Sequence, residues 1–211
     1  MNIMEAARDT ETESGGSVKG VAIGLVTQNN DPEGLGRVKV SYPWHDQARE
    51  SYWARLAAPM TGDGRGLVLI PEVGDEVLLA FERDDLRFPF VLGGLWNGQD
   101  KPPVANGDGN NDKRLFKSRK GHQLLFDDGA RGVVELSLDD GKKVRIDDDG
   151  MRFEDGKGNT FSIDSKNGAV TVEAAGKLTL KGATVSIQAS GTLDIKTSAI
   201  MNLNGSLIKL N

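Results

Sequence analysis

The stretch that decides the fold is AVTVEAAGKLTLKGATVSIQASGTLDIKTSAIMNLNGSLIKLN, residues 169–211. It repeats a pair of the form apolar-x-apolar, and the first members of successive pairs are 8, 7, 8, 8 and 7 residues apart. Such alternation places both apolar side chains on one face of a short strand and small polar residues on the other. The pairs are Val170/Val172, Leu178/Leu180, Val185/Ile187, Leu193/Ile195, Met201/Leu203 and Ile208/Leu210.

Strands this short bury too little apolar area for one chain to form a stable solenoid. The repeat therefore predicts three identical chains wound about one axis, with all twelve paired residues facing inward. A closed prism of this kind leaves no free sheet edge. Each buried aliphatic side chain contributes about 1.5–3 kcal/mol before chain entropy is counted, which suffices for an obligate homotrimer.

The segments before the repeat predict an all-β chain. Residues 121–168 are short apolar pieces separated by Asp-Gly turns, the chemistry of tight hairpins, and they predict a transition region of β-hairpins. Residues 101–120 are polar and rich in Pro, Gly and Asn, which indicates a linker. Residues 18–100 hold five β-branched and aromatic segments, which favour a small closed barrel, and residues 1–17 form a polar arm that is flexible or ordered by a partner.

Composition restricts the function further. The net charge is −5, and the chain contains no cysteine, so disulfides and thiolate metal sites are excluded. No apolar run reaches the length of a signal peptide or of a membrane span, which predicts synthesis in the cytoplasm. His45 and His122 lack neighbouring ligands at metal-binding spacing, and the paired Asp residues stand in turns. We therefore predict no catalytic, metal or cofactor site.

Three runs carry a resemblance to a known family. They are GRVKVSYPW (residues 36–44), YWARLAAPMTGDGRGLVLIPEVGDEVLLAFERDD (52–85) and PFVLGGLWNGQDKPP (89–103). Together they resemble the OB-fold domain of phage baseplate assembly protein V and of type VI secretion VgrG spikes. The repeat resembles the triple-stranded β-helix that follows this domain. The resemblance implies an N-terminal OB-fold barrel followed by an intertwined trimeric β-helix needle.

This resemblance implies the central spike of a contractile tail or injection system, assembled in a baseplate and driven transiently through a target envelope. Only a short arm precedes Val18, so we expect a separate trimeric hub protein at the OB-fold end. Some spikes of the family bind iron through a terminal His-x-His pair, which is absent here. We therefore expect a PAAR-like protein to cap the tip, through Ile208, Leu210 and Asn211. The parent machine stays open between a phage tail, a tailocin, an extracellular injection system and a type VI apparatus.

Two alternatives belong to other functional classes. OB folds often bind single-stranded nucleic acid, but residues 170–211 hold only four lysines and two acids, which leaves about −7 on residues 1–169 and disfavours a polyanion. A receptor-binding fibre is disfavoured because the outward positions of the repeat are small and offer no aromatic platform. The nucleic-acid candidates are Tyr42, Trp44, Tyr52, Trp53, Trp96, Arg37, Lys39, Arg49 and Arg55, and the outward positions are Thr171, Thr179, Ser186, Asp194 and Asn202.

Overall fold

The computed structural model describes residues 18–45 and 50–209. The predicted arm, Arg49 and the tip residues Leu210 and Asn211 lie outside the described residues. The chain divides into two compact units, with the boundary between Ala105 and Asn106. Nearly all of its regular structure is β, which confirms the all-β prediction.

The first unit is a five-stranded barrel with a short additional hairpin. Its sheet has the strand order β2-β1-β6-β7-β3, and β3 pairs with β7 in parallel. A bridge between Val38 and Ala54 links the two outer strands, so the circuit of strands closes on itself. The strands are β1 (Val21–Gln28), β2 (Lys39–Ser41), β3 (Arg55–Leu56), β4 (Thr61–Gly62), β5 (Arg65–Gly66), β6 (Glu76–Phe81) and β7 (Pro89–Gly94).

Every second side chain along the barrel strands points inward, and these side chains fill the core. In β6 the buried residues are Val77, Leu79 and Phe81, with half-buried residues between them, as a strand with one face to the core requires. Gly24 of β1 lies against Leu79, and a Cβ at that position would stand 2.6 Å from Leu79 Cδ1. The buried core consists of Val26, Val38, Val40, Tyr42, Ala54, Val77, Leu79, Phe81, Leu86 and Val91.

The second unit contains a seven-stranded antiparallel meander, in which each strand pairs with the next along the chain. Asp-Gly pairs fall in its turns, and Gly141, Gly150 and Gly156 have positive φ, as predicted for tight hairpins. The strands are β8 (Lys113–Lys117), β9 (Gln123–Asp127), β10 (Val133–Ser137), β11 (Lys143–Asp147), β12 (Gly150–Glu154), β13 (Thr160–Asp164) and β14 (Ala169–Glu173).

Three segment boundaries predicted from the sequence differ from those in the structure. The predicted linker, residues 101–120, contains β8, because Lys113–Lys117 pairs along its length with β9. The segment GLVLIPEVGDEVLLAFE, residues 66–82, is one of the five segments that predict the barrel, but its barrel strand starts only at Glu76. The first apolar pair of the repeat, Val170/Val172, lies in β14 and closes the meander instead of opening the needle. Residues 174–209 form no strand within the single chain, so the intertwined needle stays a prediction.

Candidate assembly surface

The register of the meander brings apolar side chains into two rows on one face of the sheet, here called the apolar face. Residues opposite each other in adjacent strands point to the same side, so the pairings determine each row directly. The first row is Phe116, Leu124, Leu136, Val144, Phe153, Phe161 and Val172. The second row begins with Arg114 and continues through Phe126, Val134, Ile146, Met151, Ile163 and Val170.

The apolar face is uncovered in the single chain. Phe116 is 54% exposed, Phe153 is 46% exposed and Val172 is 52% exposed. Phe153 and Phe161 make an edge-to-face contact at 5.8 Å between ring centroids, so the surface is ordered by its own packing. A contiguous apolar surface of this kind on a folded chain marks a site of association.

The opposite face of the sheet carries Leu115, Leu125 and Val133 at its β8–β10 end and paired charges across its middle. Arg145 donates to Asp147 at 2.7 Å and to Glu135 at 3.2 Å. The hydrogen bond to Asp147 raises the pKa of Arg145, and the same bond lowers the pKa of Asp147. Arg152 lies directly opposite Arg145 but has its own partner in Glu154. These charges are paired within the sheet, so the face presents less uncompensated apolar surface than the apolar face.

Aspartates hold the hairpin turns of the sheet. Asp155 accepts the backbone N–H groups of Lys157 and Asn159, and Asp164 accepts those of Lys166 and Asn167. The pKa of Asp155 is lowered chiefly by the side-chain amide of Asn159, and that of Asp164 chiefly by the N–H of Asn167. Each ionised carboxylate therefore supports a tight turn in the manner of an Asx turn.

The predicted inward residues beyond β14 are exposed in the single chain. Leu180 is 69% exposed, Ile187 is 61% exposed and Ile195 is 64% exposed. The structure brings only Val170 and Val172 of the predicted set into a sheet, where they end the two rows of the apolar face. The others in the described part have no strand partner in their own chain: Leu178, Leu180, Val185, Ile187, Leu193, Ile195, Met201, Leu203 and Ile208.

The sequence-based search for the repeat missed its upstream half. The same apolar-x-apolar pairs occur in β9 to β13, but their first members are 10, 10, 7, 10 and 9 residues apart through Val170. The uneven spacing arises because Asp-rich turns of different lengths separate the strands. A search for the pairs without a fixed period would have found them. The upstream pairs are Leu124/Phe126, Val134/Leu136, Val144/Ile146, Met151/Phe153 and Phe161/Ile163.

The aromatic residues considered for nucleic-acid stacking do not share one exposed platform. Tyr42 is buried, donates its hydroxyl to the Leu86 carbonyl at 2.7 Å and has a pKa raised by burial to about 12. Trp44 donates its indole N–H to the Ile23 carbonyl at 2.7 Å. Tyr52 stacks on Phe88 at 5.9 Å. Tyr42 and Trp44 are therefore fixed to the barrel backbone, whereas Tyr52 is 62% exposed and Trp96 is 70% exposed.

The basic residues considered as phosphate contacts are largely neutralised. Arg37 donates to both carboxylate oxygens of Asp31 at 2.8 Å, and this bond holds the pKa of Asp31 well below its usual range. Lys39 bonds Glu50 at 2.9 Å and lies 5.3 Å from the centroid of the Trp53 ring. Paired cations over an indole ring form a rigid surface and leave little free positive charge for a polyanion.

Across residues 18–45 and 50–209 no group of three or more His, Cys, Asp and Glu side chains is placed to hold a metal ion. His122 lies 3.4 Å from Asp139, at a hairpin turn of the meander. In the same described ranges no helix is long and apolar enough to cross a membrane.

Comparison with known proteins identifies the barrel. Residues 22–96 match the family model of the type VI secretion system/phage-baseplate injector OB domain. The chain is VgrG-like, and its barrel, which matches this model, is here called the injector OB domain. The injector OB domain thus covers β1 to β7, the closed circuit of the first unit.

Similarity to spike proteins extends past the injector OB domain. The type VI secretion system spike protein VgrG4b of Pseudomonas aeruginosa is 29% identical over 151 residues, which cover 62% of this chain and 18% of that protein. The spike protein VgrG2a of the same organism is 30% identical over 113 residues, 50% of this chain and 13% of that protein. The actin cross-linking toxin VgrG1 of Vibrio cholerae is 27% identical over 176 residues, 78% of this chain and 15% of that protein. The chain therefore spans less than a fifth of the length of these curated relatives.

Proposed function

We propose that this chain is a structural subunit of the central spike of a contractile injection machine and works as a homotrimer. The observation that carries the proposal is the apolar face, whose two rows extend from β8 to β14 and lead into the exposed pairs of the repeat. Three copies turned inward would bury this face along a common axis. The VgrG-like character of the injector OB domain supports the same role.

The pairing pattern suggests how the trimer is built. Up to Glu173 every strand of the meander has partners within its own chain, so three sheets would pack face to face. After Glu173 the described chain has no internal strand partners, and its apolar pairs need backbone partners as well as cover. Strands supplied by the other two copies meet both needs, which favours an intertwined needle from about residue 174 onward.

The mechanism is mechanical. A dry core of aliphatic and aromatic side chains is close-packed and transmits axial load with little compression. Force applied when the sheath contracts would pass from a hub protein through the injector OB domain to the needle, which pierces the target envelope. A PAAR-like tip protein would cover the apolar end near Ile208. No enzymatic step is required of this chain in that role.

Replacing Phe153 with Asp tests the proposal. Three like charges would meet at one level of a dry core, and burying unpaired carboxylates costs far more than a trimer interface tolerates. We expect the F153D chain to elute as a monomer in size-exclusion chromatography with light scattering, whereas the unaltered chain has the mass of three copies. Ser162→Asp, on the opposite face of the same sheet, is the matched control and should remain trimeric. A trimeric F153D chain would contradict the inward-facing arrangement.

A further inference from the structure

A protruding hairpin in the injector OB domain is unexplained by the barrel. This barrel hairpin, residues 59–70, contains β4 and β5, and every residue in it is exposed. It nevertheless holds an aliphatic run from Leu67 to Ile70, in which Val68 is 76% exposed and Leu69 is 54% exposed. Four consecutive aliphatic residues in water are costly, so a surface of this composition usually belongs to an interface.

The backbone of the run also has no hydrogen-bond partner in the protein after Leu67 within the described residues. Leu67 donates its N–H to the Met60 carbonyl at 3.0 Å, which ends the pairing of the hairpin. No backbone hydrogen bond joins Val68, Leu69 or Ile70 to any other described residue. An extended segment with free N–H and C=O groups and apolar side chains is a template for contact with another chain.

The charges on the barrel hairpin indicate what kind of chain would make this contact. Its tip carries one acid, Asp63, and one base, Arg65, and neither has an ion pair within the described ranges. The run that follows has no charge. A surface with one free carboxylate, one free guanidinium and an uncharged apolar strip is complementary to a second copy of itself.

We propose that the barrel hairpins of neighbouring copies contact one another, with Asp63 of one copy paired to Arg65 of the next and the Leu67–Ile70 runs packed together. The inference rests on the proposed homotrimer and adds a second contact region to it, in the injector OB domain. The contact is heterologous, so three copies close a ring with every Asp63 and Arg65 paired. Permanent interfaces are more apolar than transient ones, which agrees with the aliphatic run.

Cysteine cross-linking tests the contact, because the natural chain contains no cysteine and any introduced thiol is unique. The full-length Val68→Cys chain is treated with a short bis-maleimide and examined by denaturing electrophoresis. We expect covalent dimers at high yield. Lys19→Cys is the matched control: it is exposed, and it precedes Val21, which pairs with Ala80 at the far end of β6 from the barrel hairpin. Cross-linking at both positions, or at neither, would overturn the proposal.

Charge reversal decides whether the partner is a second copy. In the Val68→Cys background, Asp63→Arg or Arg65→Asp alone places like charges together and should lower the cross-linking yield roughly two- to fivefold. The double reversal, D63R with R65D, restores opposite charges only if both come from the same kind of chain. Recovery of the yield supports the contact. A double reversal that stays as low as the single changes overturns it.

The mass of the same samples separates this inference from the proposed function. If the unaltered chain is a monomer by light scattering, the homotrimer fails and the hairpin contact fails with it. If the chain is a trimer but Val68→Cys gives no cross-link, the trimer stands and only the hairpin contact is wrong.

Discussion

At the residue scale, a few close contacts decide which side chains a position accepts. Gly24 is the clearest case in the injector OB domain, because a Cβ there would lie 2.6 Å from Leu79 Cδ1 and 3.3 Å from the Ser41 carbonyl oxygen. Leu79 is fully buried and cannot move into solvent. Glycine at this position permits β1 to approach the core more closely than any other residue would.

Gly24→Ala should therefore destabilise the barrel by about 1–3 kcal/mol, the usual cost of overpacking a core. Urea unfolding followed by tryptophan fluorescence measures the change in the free energy of unfolding. Gly93→Ala is the matched control, since Gly93 also lies in a barrel strand and nothing stands within 4 Å of the point that a Cβ would occupy there. Equal free energies of unfolding for the two variants would show that β1 does not pack tightly against Leu79 at Gly24.

At the element scale, the hairpins of the meander depend on ionised aspartates. Hydrogen bonds from Arg145 and from turn N–H groups lower the pKa of Asp147, and those from Asn167 and Lys166 lower the pKa of Asp164. A carboxylate whose pKa is lower in the folded chain stabilises the fold above its unfolded pKa. That contribution is lost as the pH falls toward the folded value.

We therefore expect the melting temperature of the meander to be constant near neutral pH and to fall once the pH drops below about 4, the unfolded pKa of aspartate. Circular dichroism melts across this range measure the effect. The double change Asp147→Asn with Asp164→Asn should lower the melting temperature at neutral pH and flatten its acid dependence. Asp148→Asn, in the same turn as Asp147, is the matched control and should behave as the unaltered chain. If the double change leaves the dependence of the melting temperature on acid pH unaltered, the stabilising role of Asp147 and Asp164 in these turns is contradicted.

Also at the element scale, the structure explains why the repeat was only half visible in the sequence. The apolar-x-apolar pairs of β9 to β13 alternate as those of the needle do, and the pairings place all ten of their members in the two rows. What varies is the length of the turns, and turn length leaves the face of a strand unchanged as long as pairing is kept. A fixed period of seven or eight residues is therefore the wrong criterion for a meander.

At the scale of the whole molecule, the proposed function depends on burial that a single chain does not provide. Ile187 and Ile195 are more than half exposed although they belong to the most regular part of the sequence. In the proposed homotrimer the other two copies would bury them and would supply strand partners after Glu173. Stability of the needle is then inseparable from the concentration of assembled trimer.

Ile187→Asp should abolish the trimer, because the core of the needle has no water and no counter-charge for three carboxylates. Light scattering on the full chain should give the mass of one copy. Ser186→Asp, one residue earlier and on the outward side of the same repeat unit, should leave the trimer intact. A trimeric I187D chain with a normal melting temperature would show that Ile187 points outward.

Alternation and turn chemistry in the sequence alone determined that the chain is all-β and that a small barrel precedes a region of hairpins. These features are local, since side-chain alternation and Asp-Gly turns act within a few residues. Only the tertiary structure decided that β8 belongs to the meander, that Val170 and Val172 close it, and that residues 66–70 leave the barrel. Those outcomes depend on whether a segment's backbone groups pair with an adjacent strand, as in β8 and β14, or with none in the described part of the chain, as in residues 68–70. The apolar pattern of a segment does not by itself determine that pairing.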